Sequence, residues 1–118
     1  MDVRRKRIYD PADPADGYRI LIDRLWPRGV SKQRAALDEW ARDLAPSDEL
    51  RAWFAHDPER FAEFRSRYRA ELEAQAGRLE KLRARAANGR VTVLYGARDP
   101  DHNNAVVLAE LLMHPRGR

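Results

Sequence analysis

Cysteine is absent from the 118 residues, which excludes disulfides, thiolate zinc sites and a cysteine nucleophile. No apolar run approaches the roughly 18 residues that a membrane span needs. The opening residues Met1 to Arg7 are charged where a secretory leader would be apolar. The expectation is a cytoplasmic protein with no membrane partner. Histidine is scarce, three in all. None has a second His at ligand spacing, so no metal site is assigned. A phosphate-loop motif, a dinucleotide fingerprint and a nucleophile elbow are also missing, and no cofactor follows from the residues.

Charge is plentiful. Charged residues make up 36% of the chain, 23 Lys+Arg against 19 Asp+Glu, for a net +4. Nearly all the basic residues are Arg, whose planar fork suits carboxylate and phosphate, so an anionic partner is favoured. The competing reading is that an Arg- and Ala-rich composition reflects genomic base bias and the charges solvate helices. The one dense basic block is Arg4-Arg5-Lys6-Arg7. The length fits a single domain over residues 1–118, which buries about two-thirds of its unfolded surface without covalent staples.

The order along the chain is strand, strand, helices, strand, helix. A first strand candidate runs from Val3 to Tyr9, and the proline- and glycine-containing stretch Asp10 to Gly17 then excludes regular structure. Tyr18 to Asp23 reads as a strand with Ile20, Leu21 and Ile22 at its centre. Ser47 caps a short helix carrying Leu50, Trp53 and Phe54, and Asp57-Pro58 starts another. Phe61, Phe64, Tyr68 and Leu72 form one apolar stripe; Leu79, Leu82 and Ala86 continue it beyond Gly77, which breaks or bends the helix. Asn88-Gly89 ends that helix before the continuous apolar strand Arg90 to Tyr95, whose composition implies burial on both faces. A last helix, apolar over most of its circumference, is expected from a cap at Asp101. His114 belongs to a fraying tail that ends Pro115-Arg116-Gly117-Arg118. These elements specify an α/β fold: a small sandwich with a short, mostly parallel sheet covered by helices. Whether the first two strands pair directly is left open by a connection short for a parallel crossover.

Ligands of open α/β sheets bind beyond the carboxyl ends of the strands, and two segments stand there. After the second strand come Asp23-Arg24-Leu25-Trp26-Pro27-Arg28-Gly29-Val30-Ser31. Arg28-Gly29 with Ser31 can form an anion-binding concavity, with Ser31 also able to cap a following turn. Trp26 offers a stacking face. Against this, Asp23 and Arg24 are equally an internal ion pair, Trp26 a core plug and Pro27 a strand terminator. After the third strand come Tyr95-Gly96-Ala97-Arg98-Asp99-Pro100-Asp101-His102-Asn103-Asn104, at the start of the last helix. Asn103 or Asn104 can orient a ligand there; His102 reads as part of the first helical turn. His56, between two helices, reads as a helix-end residue favoured by the dipole.

Arg7-Ile8-Tyr9-Asp10-Pro11, Asp23-Arg24-Leu25-Trp26-Pro27-Arg28-Gly29, Leu37-Asp38-Glu39-Trp40 and Asn103-Asn104-Ala105-Val106-Val107-Leu108-Ala109 carry a resemblance over nearly the whole chain. In these strings it resembles the YeaO-like family, a bacterial domain of unknown function. The resemblance implies longer relatives with a Cys near the strand end held here by Leu94-Tyr95, and a Cys-His-Arg cluster where this chain has Asn103-Asn104-Ala105. Some close relatives carry His at the position of Asn104. None of those cysteines is present, so a thiol mechanism is excluded. The Asp-Arg and Arg-Gly loop is what survives.

Three functions from different classes follow. The first is a site for an anionic small molecule, a nucleotide or phosphorylated metabolite. In it Asp23 orients the ligand or acts as a base, Arg24 and Arg28 hold the anion beside Trp26 and Gly29, and Tyr95, Asn103 and Asn104 complete the pocket. The second is a nucleic-acid-binding module using Arg4 to Arg7 with the Arg28 to Lys32 loop. The third is an interaction protein without catalysis. No acid–base pairing is identifiable, so the residues assign no reaction.

Overall fold

A computed structural model describes residues 1–114; the tail at residues 115–118 lies outside them. The elements in chain order are β1 (Asp2–Arg7), β2 (Tyr18–Leu21), α1 (Lys32–Ala35), β3 (Glu39–Trp40), α2 (Asp48–Phe54), α3 (Phe61–Glu73), α4 (Ala76–Ala87), β4 (Arg90–Tyr95) and α5 (Asn104–Met113). The four strands form one parallel sheet in the order β1-β4-β2-β3. Among the described residues no helix is long and apolar enough to cross a membrane.

The two apolar runs occupy the sheet centre. Val93 of β4 pairs with Ile20 of β2 on one side and with Arg5 of β1 on the other. Strand alternation sorts their side chains. Ile20, Ile22, Val91, Val93 and Tyr95 pack into a large core with α2 to α5. Leu21 and Leu94 face the opposite way, into a smaller core with Ile8, Val30 and Ala35. Helices therefore cover one face, while loops and the single turn of α1 cover the other. β1 and β2 do not pair, because β4 lies between them.

The crossover from β1 to β2 contains a short 3-10 turn at Pro14–Asp16, against the expectation of no regular structure there. Asp13 accepts from the Ala15 N–H at 2.8 Å, and Asp16 accepts from the Asp13 N–H at 3.0 Å, a reciprocal cap strong enough to form the turn. Gly17 follows with φ +66°, and a Cβ there would lie 2.3 Å from the Arg90 carbonyl oxygen, so no larger residue fits. Asp16 is buried and salt-bridged to Arg19 (2.6 Å) and Lys6 (3.1 Å), and its carbonyl accepts from the Thr92 hydroxyl. This polar knot ties the crossover to β1, β2 and β4.

On the helical side, Ser47 caps α2 by accepting from the Leu50 N–H, and Glu71 of α3 receives both the Ser47 N–H and hydroxyl. Asp57 caps the turn at Pro58–Arg60 that leads into α3. Phe54 stacks on Phe64 with centroids 4.3 Å apart, which docks α2 on α3. The helical stripe breaks at Ala74-Gln75, and Gly77 sits within the first turn of α4. α5 starts at Asn104 with Asn103 as its cap, accepting from the Val106 N–H at 3.1 Å. Asp101 is not the cap. Asp99 organises the preceding turn by accepting the Asp101 and His102 N–H groups, which carries the helix start to Asn103.

Candidate functional site

Because β2 and β4 are parallel neighbours, the loops after both emerge on the same side of the sheet, and α2 closes over them. The result is a cleft of ≈ 430 Å³, toward the lower end of the roughly 300–1,000 Å³ typical of small-molecule sites. Its exposed apolar lining includes Leu25 and Ala52, with Phe54 and Phe64 buried behind it; its polar groups include Asp23, Arg24, Arg51, His56 and Asn104.

Asp23 stands one residue beyond Ile22, at the end of the strand segment. One carboxylate oxygen accepts from the Gly96 N–H at 2.8 Å and the other from the Asn104 side-chain amide at 3.0 Å. The same amide donates to the Ile22 carbonyl at 3.0 Å. Asn104, in the first turn of α5, therefore pins the end of β2 to the helix. A Cβ on residue 96 would come within 2.9 Å of the Asp23 carboxylate, so glycine is what lets the strand end approach it. Burial pushes the Asp23 carboxyl above the usual carboxylate range, although Asn104, Gly96, Arg51 and His56 each draw it back.

That shift has a sign. A carboxyl whose folded pKa is raised stabilises least when ionised, so its penalty sets in as pH rises from about 3.9 through the folded value. The side-chain carbon resonance of Asp23 is expected to titrate with a midpoint above 3.9, and Asp23→Asn is expected to remove this part of the pH dependence. A midpoint at or below the ordinary aspartate value would show that the hydrogen bonds outweigh burial.

Arg24 follows Asp23 into the cleft. Its Nε is buried without a hydrogen-bond partner among the described residues, and its ion pair to Asp48 Oδ1 spans 3.4 Å. Asp48 Oδ1 also accepts from Arg51 Nη1 at 3.2 Å. His56 enters from the turn after α2, where Ala55 and His56 take φ +46° and +55°. Two consecutive residues in the left-handed region without glycine are strained, and such strain gathers at ligand sites.

The loop after β2 divides. Asp23, Arg24 and Pro27 line the cleft, whereas Trp26, Arg28 and Gly29 do not. Trp26 donates to the Val30 carbonyl at 2.6 Å and meets Trp40 edge-on, centroids 5.2 Å apart, so it plugs the smaller core. Gly29, at φ +77°, turns the chain back to make that contact. Arg28 is exposed; its carbonyl accepts from the Tyr9 hydroxyl. Ser31 caps α1 through the Arg34 N–H. Arg24 and Arg28 thus do not converge, because the Gly29 turn holds Arg28 at the surface. Tyr95 is buried in the large core and does not line the cleft, while Asn103 and Asn104 both do. His102 pairs with Asp99 at 2.8 Å and meets Phe61 edge-on.

Arg51, Asp48 and His56 were not singled out as ligand contacts by sequence reasoning. Arg51 and Asp48 look like a solvated helix pair three residues apart. The only local signal for His56 is an inter-helix turn, Phe54-Ala55-His56-Asp57-Pro58, that lacks a glycine to take positive φ. Among the described residues no group of three His, Cys, Asp or Glu is placed to hold a metal ion.

The profile of a family described as the inactive DUF488-N3 subclade matches residues 2–116. The uncharacterised protein YeaO of Escherichia coli is 46% identical over 112 residues, covering 95% of this chain and 97% of YeaO. The uncharacterised protein Rv3073c of Mycobacterium tuberculosis is 46% identical over 110 residues, covering 93% of this chain and 92% of its own. No solved structure gives a significant match.

Proposed function

The chain belongs to the inactive DUF488-N3 subclade of the YeaO-like proteins, and from that premise we propose that its cleft binds a small anionic molecule, a nucleotide or phosphorylated metabolite, without transforming it. The observation that carries this reading is the side-by-side placement of Arg24 and Arg51 in a cleft that also presents His56 and Asn104. Guanidinium groups form charge-assisted, potentially bidentate hydrogen bonds to phosphate or carboxylate. The exposed apolar lining at Leu25 and Ala52, backed by the buried Phe54 and Phe64, suits a ring or carbon skeleton attached to that anion. Both oxygens of Asp23 are engaged, by the Gly96 N–H and the Asn104 side-chain amide, which offsets part of its charge beside a bound anion. Its role is to orient the ligand.

The nucleic-acid reading ranks below this because each basic side chain of the block already has an intramolecular partner. Lys6 is paired with Asp16, Arg5 donates to the Pro100 carbonyl, Arg7 to the Ala97 carbonyl, and Arg4 pairs with Asp2. Any binding to nucleic acid is expected to be weak and to fall steeply with salt. Sequence-selective, salt-insensitive binding in a fluorescence titration would reverse the ranking.

A thermal-shift panel of nucleoside mono- and diphosphates and sugar phosphates tests the main reading. A compound present at about a hundred times its Kd adds roughly 2.7 kcal/mol, which for a chain of this size raises Tm by on the order of 10 °C. A panel in which no anion moves Tm would count against the cleft as a binding site.

A further inference from the structure

We infer that Asp48 occupies the seat of the ligand's oxyanion between Arg24 and Arg51, and that a phosphate or carboxylate group binds by displacing it. The inference rests on the cleft being an anion site and adds where the anion sits and what competes for it. A single oxygen, Asp48 Oδ1, lies 3.4 Å from Arg24 Nε and 3.2 Å from Arg51 Nη1. A ligand oxygen bridging both guanidinium groups would sit close to that position, moved into line with the Arg24 Nε–H that Oδ1 misses.

The pairing is incomplete on the arginine side and loosely held on the aspartate side. Arg24 Nε is covered yet forms no hydrogen bond among the described residues, a donor left unsatisfied. The Asp48 side chain is 77% exposed, so it can turn into solvent at little cost. An exposed ion pair of this kind contributes little to folding. A ligand oxyanion with freer geometry satisfies the Nε–H that Asp48 leaves unbonded, and the displaced carboxylate is rehydrated. Asp48 thereby sets a threshold: weak anions fail to displace it, and multiply charged phosphates succeed more readily than single carboxylates.

The test uses inorganic phosphate and acetate as probes, titrated into the full chain and followed through the Arg24 and Arg51 side-chain N–H resonances. Asp48→Asn keeps the shape and removes the competing charge. It is expected to bind phosphate roughly fivefold more tightly than wild type, the scale of an exposed charge pair. Wild type is expected to favour phosphate over acetate, and the variant to narrow that preference. Glu49→Gln, the same charge change on the exposed neighbour, separates displacement from overall charge and is expected to leave affinity within about twofold. Asp48→Ala serves as the second variant should the Asn form a new contact. If wild type binds phosphate and both Asp48 variants bind it no better, or Glu49→Gln tightens binding as much, the displacement is wrong while the anion site stands. If neither wild type nor variants show a saturable shift at Arg24 and Arg51, both the displacement and the anion site are overturned.

Discussion

Replacing Arg19 with Met is expected to cost about 3 kcal/mol of stability and lower Tm by on the order of 10 °C. Arg19 is 5% exposed and sits on the loop-covered face of the sheet. Its guanidinium donates to the Ala35 and Ala36 carbonyls and pairs with Asp16 at 2.6 Å. Met fills similar volume but leaves those acceptors and a buried carboxylate short of donors. Removing one partner of a buried pair typically costs roughly 3–5 kcal/mol. The lower end applies because Lys6 stays on Asp16 at 3.1 Å.

The acid limb gives an independent check. Burial pushes the Asp16 carboxyl up, but hydrogen bonds from the Asp13 N–H, Lys6 and Arg19 outweigh it and hold the group below the usual range. A depressed carboxyl contributes stability that is present above about 3.9 and lost as pH falls through its folded value. In Arg19→Met that loss is expected to begin at higher pH than in wild type. Chemical denaturation across pH 2 to 6 reads both effects, and a stability change under about 1 kcal/mol would mean that the knot is ornamental.

Arg24→Ala is expected to weaken phosphate binding about tenfold or more while barely moving Tm. A hydrogen bond to a charged group is worth roughly 1.5–3 kcal/mol, and tenfold corresponds to about 1.4 kcal/mol. The stability side follows from its surroundings: among the described residues its one ion pair is the 3.4 Å contact to exposed Asp48. Arg28→Ala is the matched control, one turn of loop away and outside the cleft, and is expected to change neither property. A collapse of Tm in Arg24→Ala would make Arg24 a structural residue. A loss of binding in Arg28→Ala alone would place the site on the wrong side of the loop.

The contrast between these two arginines shows what the residues disclose and what they do not. Ile20 to Ile22, Val91 to Leu94 and the apolar length of α5 declare the central strands and the buried helix by composition. β3 escapes because two residues, Glu39 and Trp40, carry no period. The open pairing of the first two strands is decided by β4, which begins 72 residues after β2 begins and slots between them. The nearness of the two segments was legible: the loop after β2 and the segment before α5 do meet, at the carboxyl end of the sheet, around the candidate cleft. Which side chains enter it depends on a turn at Gly29 that folds Trp26 back onto Trp40, sparing Arg24 and excluding Arg28. Arg51 and His56 reach the cleft only because Phe54 docks on Phe64, a tertiary contact with no local trace in the chain. Asn103 illustrates a further reason. The same side chain that suits a ligand also suits a helix cap, and capping is where its carbonyl oxygen is used.

The most direct test of the cleft as an anion site is a crystal structure of the protein grown or soaked with adenosine monophosphate. The account predicts the phosphate in the cleft with oxygens within about 3.2 Å of Arg24 and Arg51, Asp48 turned toward solvent, and the base against the exposed apolar lining at Leu25 and Ala52. Phosphate bound instead along Arg4 to Arg7, with Asp48 still between Arg24 and Arg51, would contradict it.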